Sequence, residues 1–121
     1  MTKQVITVPT SLPDVPFSPA IKAGDYIFVS GQVGHVDSQG KKLEGVEAQT
    51  RQVLDNMKRV LAAAGASMDD VVKTTVFLVR VEDFPKMNEV YKSYFTRDLP
   101  ARSTVCLLYT SDAADELDGV D

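Results

Sequence analysis

Two short segments of this chain carry residue types that suit the binding of a small acid. Arg102 opens a run of β-branched residues just after an aromatic-rich segment. Its guanidinium has a permanent charge and a rigid fork of donors, which can hold a carboxylate through two hydrogen bonds. Far upstream, Ser30 and Gly31 offer a hydroxyl and an unobstructed backbone N–H. Each segment alone is a weak signal, but together they predict a site for a carboxylate or a carbonyl-like centre.

Each of these residues also has a purely structural interpretation. Arg102 could be an ion-pair partner at a surface or an interface. Ser30 and Gly31 could form a bulge at a strand end, which is a common use of glycine. Asn88 lies on a predicted helix and could be only a polar neighbour of a cleft. The sequence leaves these roles open, whereas the lone His35 cannot make a metal site by itself.

Hydrophobic periodicity predicts the elements that position these residues. A short N-terminal strand is followed by a hairpin with a two-residue turn at Gly24-Asp25. Apolar residues with helical spacing over 46–64 predict a long helix, which Gly65 should end. A strand, a second helix and a final strand over 101–105 complete the order. This order indicates an α+β domain with a mostly antiparallel sheet and two helices on one face.

The sheet face away from the helices is predicted to be apolar as well. Its residues include Tyr26, Phe28, Val71 and Phe77. A domain this small with an apolar sheet on both sides points to self-association.

The character of the sequence changes at Cys106. Residues 106–121 resemble the conceptual translation of a transposase-type sequencing adapter. We therefore expect residues 1–105 to be a domain that is truncated at its C-terminus and residues 106–121 to be a non-native tail. An acidic tail that belongs to the protein is the alternative.

Charge and composition exclude several classes of function. The chain has 13 basic and 17 acidic residues. Five of the acidic residues and no basic residue lie in 106–121, so residues 1–105 carry 13 basic against 12 acidic side chains. This near neutrality argues against nucleic acid or a membrane surface as a partner. With no long apolar run and no signal-peptide core, a cytoplasmic location is expected.

Five segments together resemble the RidA/YjgF/UK114 family of reactive-intermediate deaminases. In order along the chain they are Pro-Phe-Ser-Pro-Ala at 16–20, Phe-Val-Ser-Gly-Gln at 28–32, Val-Val-Lys-Thr-Thr-Val at 71–76, Met-Asn-Glu-Val-Tyr at 87–91 and Pro-Ala-Arg-Ser-Thr at 100–104. The resemblance runs from about residue 16 to residue 105. It implies a chorismate-mutase-like fold and a homotrimer, with three sites in clefts between subunits.

The resemblance also implies an activity. It is the hydrolysis of enamine and imine intermediates, such as 2-aminoacrylate, 2-iminopropanoate and 2-iminobutanoate, to 2-keto acids and ammonia. Carried over to this sequence, Arg102 is the catalytic residue that binds the substrate carboxylate. Phe17 stands where the family usually has tyrosine, so any role of a hydroxyl there is lost. The other residues of the implied pocket are Ser30, Gly31, Asn88 and Thr104.

The family places a glutamate, which positions the attacking water, in a last strand that has no match here. The tail occupies its place, and Glu116 is not a substitute. We therefore expect the C-terminal strand of the fold to be missing. No cofactor and no metal is implied, because orientation and electrostatic stabilisation suffice for a protonated imine, whose carbon is already electrophilic.

Two functions of other classes stay open. One is a small-acid-binding or chaperone-like protein that uses the same cleft without turnover. The other is an endoribonuclease, an activity claimed for some relatives. The near-neutral charge and the absence of a histidine pair speak against RNA cleavage.

Overall fold

A computed structural model describes residues 2–9 and 14–107 of the chain. The order of its elements is the α+β order that the sequence predicts. The strands are β1 (Lys3–Ile6), β2 (Ala20–Ala23), β3 (Tyr26–Val29), β4 (Lys73–Leu78) and β5 (Ala101–Cys106), and the helices are α1 (Val46–Ala63) and α2 (Phe84–Tyr94). Short 3-10 helices lie at Met68–Asp70 and Val81–Asp83.

The described strands form two sheets. β1, β2 and β3 make an antiparallel sheet in that order, and the predicted hairpin turn joins β2 to β3. β4 and β5 pair in parallel. A parallel pair needs a crossover, which α2 provides between the two strands. The pairing is mostly antiparallel, as predicted, while the parallel pair is not visible in the local sequence pattern.

Both helices cover the same side of the strands. Leu54 of α1 packs in one core cluster with Leu78 of β4 and with Met87 of α2. Burial of one such side chain stabilises the fold by roughly 1.5–3 kcal/mol. A smaller cluster ties the three-stranded sheet to α1 and consists of Ile6, Ala20 and Val60. Among the described residues, no helix has both the length and the apolar composition needed to cross a membrane.

Helix α1 ends just before Gly65, as the sequence predicts. Gly65 has a φ of 79°, a left-handed conformation that glycine adopts without steric cost. The N–H of Gly65 donates to the carbonyl of Ala62 at 3.0 Å, and the N–H of Ala66 donates to that of Leu61 at 2.8 Å. These bonds satisfy carbonyls that the helix end leaves unpaired.

The apolar residues that were predicted to face away from the helices are exposed on both sheets, with one exception. Tyr26, Phe28 and Phe77 are 68%, 62% and 66% exposed. The placement of Val71 on this face was wrong, because Val71 packs against the main core cluster. Its N–H donates to Met68 of the preceding 3-10 turn, so the alternation of β4 does not extend back to it.

Two residues of the predicted tail lie within the described part of the chain. Cys106 is the last residue of β5 and pairs with Leu78. The N–H of Leu107 donates to the carbonyl of Leu78 at 2.7 Å. The remainder of the predicted tail, residues 108–121, lies outside the described residues.

Gly34 allows the loop after β3 to lie directly on α1. A Cβ at this position would be 2.1 Å from the backbone oxygen of Gln49. The Nδ2 of Asn56 also donates to the carbonyl of Val33 at 3.4 Å, which holds the same loop to the helix. By contrast, a Cβ at Gly31 would meet nothing within 4 Å.

We expect Gly34→Ala to lower the free energy of unfolding by roughly 1–3 kcal/mol, because the loop or the helix backbone must move to admit one methyl group. Gly31→Ala is the matched control and should leave stability nearly unchanged. Urea unfolding of both variants beside the parent measures the difference. Equal midpoints for the two variants would contradict this account of the loop.

Tyr94 joins the end of α2 to the middle of α1. Its hydroxyl donates to the Oδ1 of Asp55 at 2.7 Å. Burial, followed by the hydrogen bond to Asp55, raises the pKa of Tyr94 to about 12 from 10.0. The folded state therefore holds this proton more tightly than the unfolded chain does.

Because the pKa of Tyr94 is higher in the folded state, this group stabilises the fold at pH values below about 10. That contribution to the free energy of unfolding is lost as the pH rises towards about 12. We expect the parent to lose more stability than Tyr94→Phe over this window, because the variant has no phenol to ionise. Urea unfolding at about pH 9 and about pH 11 tests the sign. An equal loss in both proteins would show that Tyr94 titrates normally.

Candidate active site

Arg102 lies on β5 with its side chain turned towards α2. Its guanidinium carbon is 4.8 Å from the ring centroid of Tyr91 and 5.5 Å from that of Phe84. Its Nη1 is 4.0 Å from the sulfur of Met87. These three side chains, called here the aromatic bed, surround a cation without supplying an opposite charge.

Strand alternation and helical spacing together bring Arg102 onto the aromatic bed. Along β5, Arg102 and Thr104 are half-buried, whereas Ala101 and Ser103 are exposed. Every second residue of the strand therefore faces the helix layer. On α2 the bed residues Phe84, Met87 and Tyr91 recur with the spacing of one helix face.

Arg102 has no carboxylate partner among the described residues. Their two ion pairs are both exposed, and they join Arg80 to Glu82 and Lys92 to Glu89. Within the described part of one chain, the alternative of an ion-pair role for Arg102 therefore has no support. A half-buried guanidinium held by rings and sulfur keeps its donors available for an anion.

The predicted residues at the end of β3 form a second group. The Oγ of Ser30 donates to the carbonyl of Ser18, and the Ser30 N–H donates to the carbonyl of Pro19 at 3.0 Å. These bonds fasten Ser30 to the segment that carries Phe17, whose side chain is 59% exposed. Gly31 is exposed, with open space where a Cβ would lie.

Asn88 and Thr104 belong to the elements that carry Arg102. Asn88 lies on α2 directly after Met87 of the aromatic bed, and Thr104 lies two residues after Arg102 on the same face of β5. The Oδ1 of Asn88 is buried and has no hydrogen-bond partner among the described residues. Such an oxygen costs about 1–3 kcal/mol if it stays unsatisfied. This favours a role for Asn88 as an acceptor of a donor from outside the described chain.

The six predicted residues thus fall into two groups. Arg102, Asn88 and Thr104 lie on β5 and α2, while Phe17, Ser30 and Gly31 lie at the end of the three-stranded sheet. Among the described residues, no hydrogen bond, ion pair or ring contact joins one group to the other. β5 also has a described partner on one side only, which is β4.

Other candidate sites in the described ranges are weak. No group of three His, Cys, Asp or Glu side chains there could hold a metal ion. A surface groove of about 380 Å³ between the helices is lined by Arg51, Asp55, Lys58, Met68, Ser93 and Tyr94. It contains none of the predicted site residues.

Sequence reasoning missed the functional context of the aromatic bed. The helical spacing of its members indicates only that they pack in the core, and Met87 and Tyr91 are 1% and 7% exposed. The hydroxyl of Tyr91 also shares a 2.7 Å hydrogen bond with that of Thr74 on β4. The alternation of Arg102 and Thr104 along β5 was the signal that could have placed the arginine on the helix side.

The chain has well-defined relatives. Residues 9–109 match a protein-family model described as Endoribonuclease L-PSP. The chain is 47% identical over 107 residues to a RutC family protein of Pyrococcus abyssi, a match that covers 87% of this chain and 84% of the relative. It is 43% identical over 89 residues to the human 2-iminobutanoate/2-iminopropanoate deaminase, with 73% of this chain and 65% of the relative covered.

Solved structures agree with this relationship. The crystal structure of RidA from an Antarctic Psychrobacter matches with a TM-score of 0.77 at 36% identity, over 84% of each chain. The expected chorismate-mutase-like α+β fold is thereby confirmed. The family match spans both groups of site residues. This chain therefore belongs to the RidA/YjgF/UK114 family.

Proposed function

We propose that this protein is a cofactor-free hydrolase that converts small 2-imino acids to 2-keto acids and ammonia. The observation that carries the proposal is the guanidinium of Arg102, half-buried on an apolar bed with no carboxylate partner among the described residues. A relative at 43% identity bears the name 2-iminobutanoate/2-iminopropanoate deaminase, which supports the reaction class. The enamine substrate 2-aminoacrylate enters the same reaction as its imine tautomer.

Hydrolysis of an imine depends on a group that binds the substrate carboxylate and on a hydrogen-bond donor at the reacting carbon more than on a strong base. Arg102 holds the substrate carboxylate, which fixes the imine carbon in the cleft. Water adds to the carbon of the protonated imine, and the new C–O bond gives a tetrahedral carbinolamine. As the C–O bond forms, the C=N π bond breaks and its electron pair goes to nitrogen. A proton then moves from the added oxygen to nitrogen, the C–N bond breaks, and the departing ammonia takes the proton that remains on the new carbonyl oxygen. One protonated imine and one water thus become one keto acid and one ammonium ion. The N–H of Gly31 donates a hydrogen bond to the added oxygen once that oxygen has lost a proton.

The second group of residues completes the cleft from a neighbouring copy. We propose a homotrimer in which Phe17, Ser30 and Gly31 of one subunit face Arg102 and Asn88 of the next. The lack of a described contact between the two groups within a chain supports this arrangement. The exposed apolar face, with Tyr26, Phe28 and Phe77 more than half exposed, supplies an interface.

The remaining features of the proposal follow from the sequence. The domain comprises residues 1–105, residues 106–121 are a non-native tail, and no residue of the sequence matches the water-positioning glutamate of the family. Activity is then lower than in a relative that has this glutamate, whereas binding of the carboxylate is retained. The protein acts in the cytoplasm on a small-molecule substrate, without nucleic acid or a membrane as partner.

Arg102→Ala should lower keto-acid release from freshly generated 2-aminoacrylate by at least about 10²-fold, because the anchor and its charge are both lost. Arg80→Ala is the matched control, since Arg80 is exposed and ion-paired. Ammonia and keto acid are measured together, beside a blank without protein. An Arg102→Ala variant as active as the parent would refute the assignment.

Calorimetric titration with 2-oxobutanoate separates the alternatives. Binding that depends on Arg102, with no acceleration of imine hydrolysis, would identify a small-acid-binding protein instead. The name of the family model favours RNA as a second substrate to test. We expect no cleavage of single-stranded RNA, and cleavage that survives Arg102→Ala would point to a different site.

Phe77→Glu should convert trimers into monomers, because it places a charge in the middle of the proposed interface. Val81→Glu is the control, since Val81 is 59% exposed but lies in a 3-10 helix outside the sheet. Light scattering after size exclusion gives the mass, and circular dichroism shows that both variants fold. An unchanged mass for Phe77→Glu would show that this face is not part of the subunit interface.

A further inference from the structure

The aromatic bed holds Arg102 in an unusual way. Buried guanidinium groups are ordinarily balanced by a carboxylate, and such a partner would compete with an incoming acid. Here the contacts are instead the ring of Tyr91 at 4.8 Å, the ring of Phe84 at 5.5 Å and the sulfur of Met87 at 4.0 Å. A ring face attracts the cation and leaves its forked donors free.

Tyr91 is itself fixed by more than packing. It is 7% exposed, and its ring centroid is 4.7 Å from that of Phe95. Its hydroxyl shares a 2.7 Å hydrogen bond with the hydroxyl of Thr74. Phenylalanine would fill the same space, so the hydroxyl does something that core packing does not require.

The position of Thr74 connects that hydrogen bond to Arg102. In the parallel pairing of β4 with β5, Thr74 is the residue directly opposite Arg102. Strand register links Arg102 to Thr74, a hydrogen bond links Thr74 to Tyr91, and the ring of Tyr91 lies under the guanidinium of Arg102. These three links form a closed triangle that sets the ring relative to the strand that carries the cation.

We infer that Tyr91, anchored by Thr74, is a positioning residue that presents Arg102 to the substrate carboxylate without neutralising it. This inference rests on the proposed function, because it assigns the held cation to acid binding. Tyr91 does not touch the substrate. Its effect reaches the acid only through the placement of Arg102.

Three substitutions separate the parts of the triangle. Tyr91→Phe keeps the ring and removes the bond to Thr74, while Thr74→Val removes that bond from the other side. Tyr91→Leu removes the ring face. Phe95→Leu is the matched control, because Phe95 is 4% exposed in the same cluster and stacks on Tyr91, but has no described contact with Arg102.

The first readout is the dissociation constant for 2-oxobutanoate, together with the split between KM and kcat in imine hydrolysis. We expect Tyr91→Leu to weaken binding and to raise KM by about tenfold, which corresponds to about 1.4 kcal/mol. Tyr91→Phe and Thr74→Val should each weaken binding about threefold, with equal effects because they break the same bond. Phe95→Leu should lower the melting temperature and leave binding within about twofold of the parent.

The second readout is independent of activity and reports on Arg102 directly. The Nε–H signal of Arg102, assigned by its loss in Arg102→Ala, should be shifted by the ring current of Tyr91 in the parent. It should move towards the free-arginine position in Tyr91→Leu and stay in place in Phe95→Leu. Should Tyr91→Leu fail to fold, Tyr91→Phe and Thr74→Val carry the test.

The outcomes distinguish the inference from the function on which it rests. If Arg102→Ala abolishes acid binding but the Tyr91 and Thr74 variants bind like the parent, the positioning role is wrong and the proposed function stands. If Arg102→Ala leaves binding unchanged, the proposed function itself fails. Equal weakening by Phe95→Leu and Tyr91→Leu would reduce Tyr91 to a packing residue.

Discussion

The site depends on one interaction, a cation held by aromatic rings instead of by an acid. The guanidinium of Arg102 lies over Tyr91 and Phe84, and neither ring removes its charge. A carboxylate at this place would fix the side chain more firmly, but it would also occupy the donors that an incoming acid needs. The rings fix the position of the guanidinium, and its positive charge is left without an acidic partner among the described residues. The fold around this contact, from the parallel β4–β5 pair to the packed stripe of α2, maintains that state.

The second requirement is that the other polar groups of the site come from a different part of the molecule. Ser30 and Gly31 end a strand of the antiparallel sheet, and their loop is held to α1 through Gly34. Arg102 belongs to the parallel pair. Since no described contact joins these groups within a chain, the homotrimer proposed above accounts for how they come together. The buried oxygen of Asn88, which lacks a described partner, is consistent with a site that one chain leaves incomplete.

Local pattern predicted most of the architecture because it depends on local physics. Periodicity located α1 and α2, and Gly65 located the end of α1. The sequence also predicted an apolar strand face, and its members Tyr26, Phe28 and Phe77 are exposed. The alternation failed at Val71, where a 3-10 turn resets the register before β4 begins. The aromatic bed was missed for a related reason. It depends on which strand lies beside β5 and in which register, and pairing over some thirty residues leaves no mark in short sequence windows.

The division of the described strands into two sheets has a consequence for motion. No ladder pairs β3 with β4 in the described ranges, so the antiparallel sheet is joined to the rest mainly by side-chain packing and by its loop to α1. Packing of this kind gives way at a lower free energy than a hydrogen-bonded ladder supported by two helices. The amide protons of β1–β3 should therefore exchange with deuterium through partial opening of the structure. Those of α1 and β4 should exchange only through global unfolding. Ser30 and Gly31 would then fluctuate with the antiparallel sheet as a separate cooperative unit, while Arg102, across the proposed cleft, keeps its position.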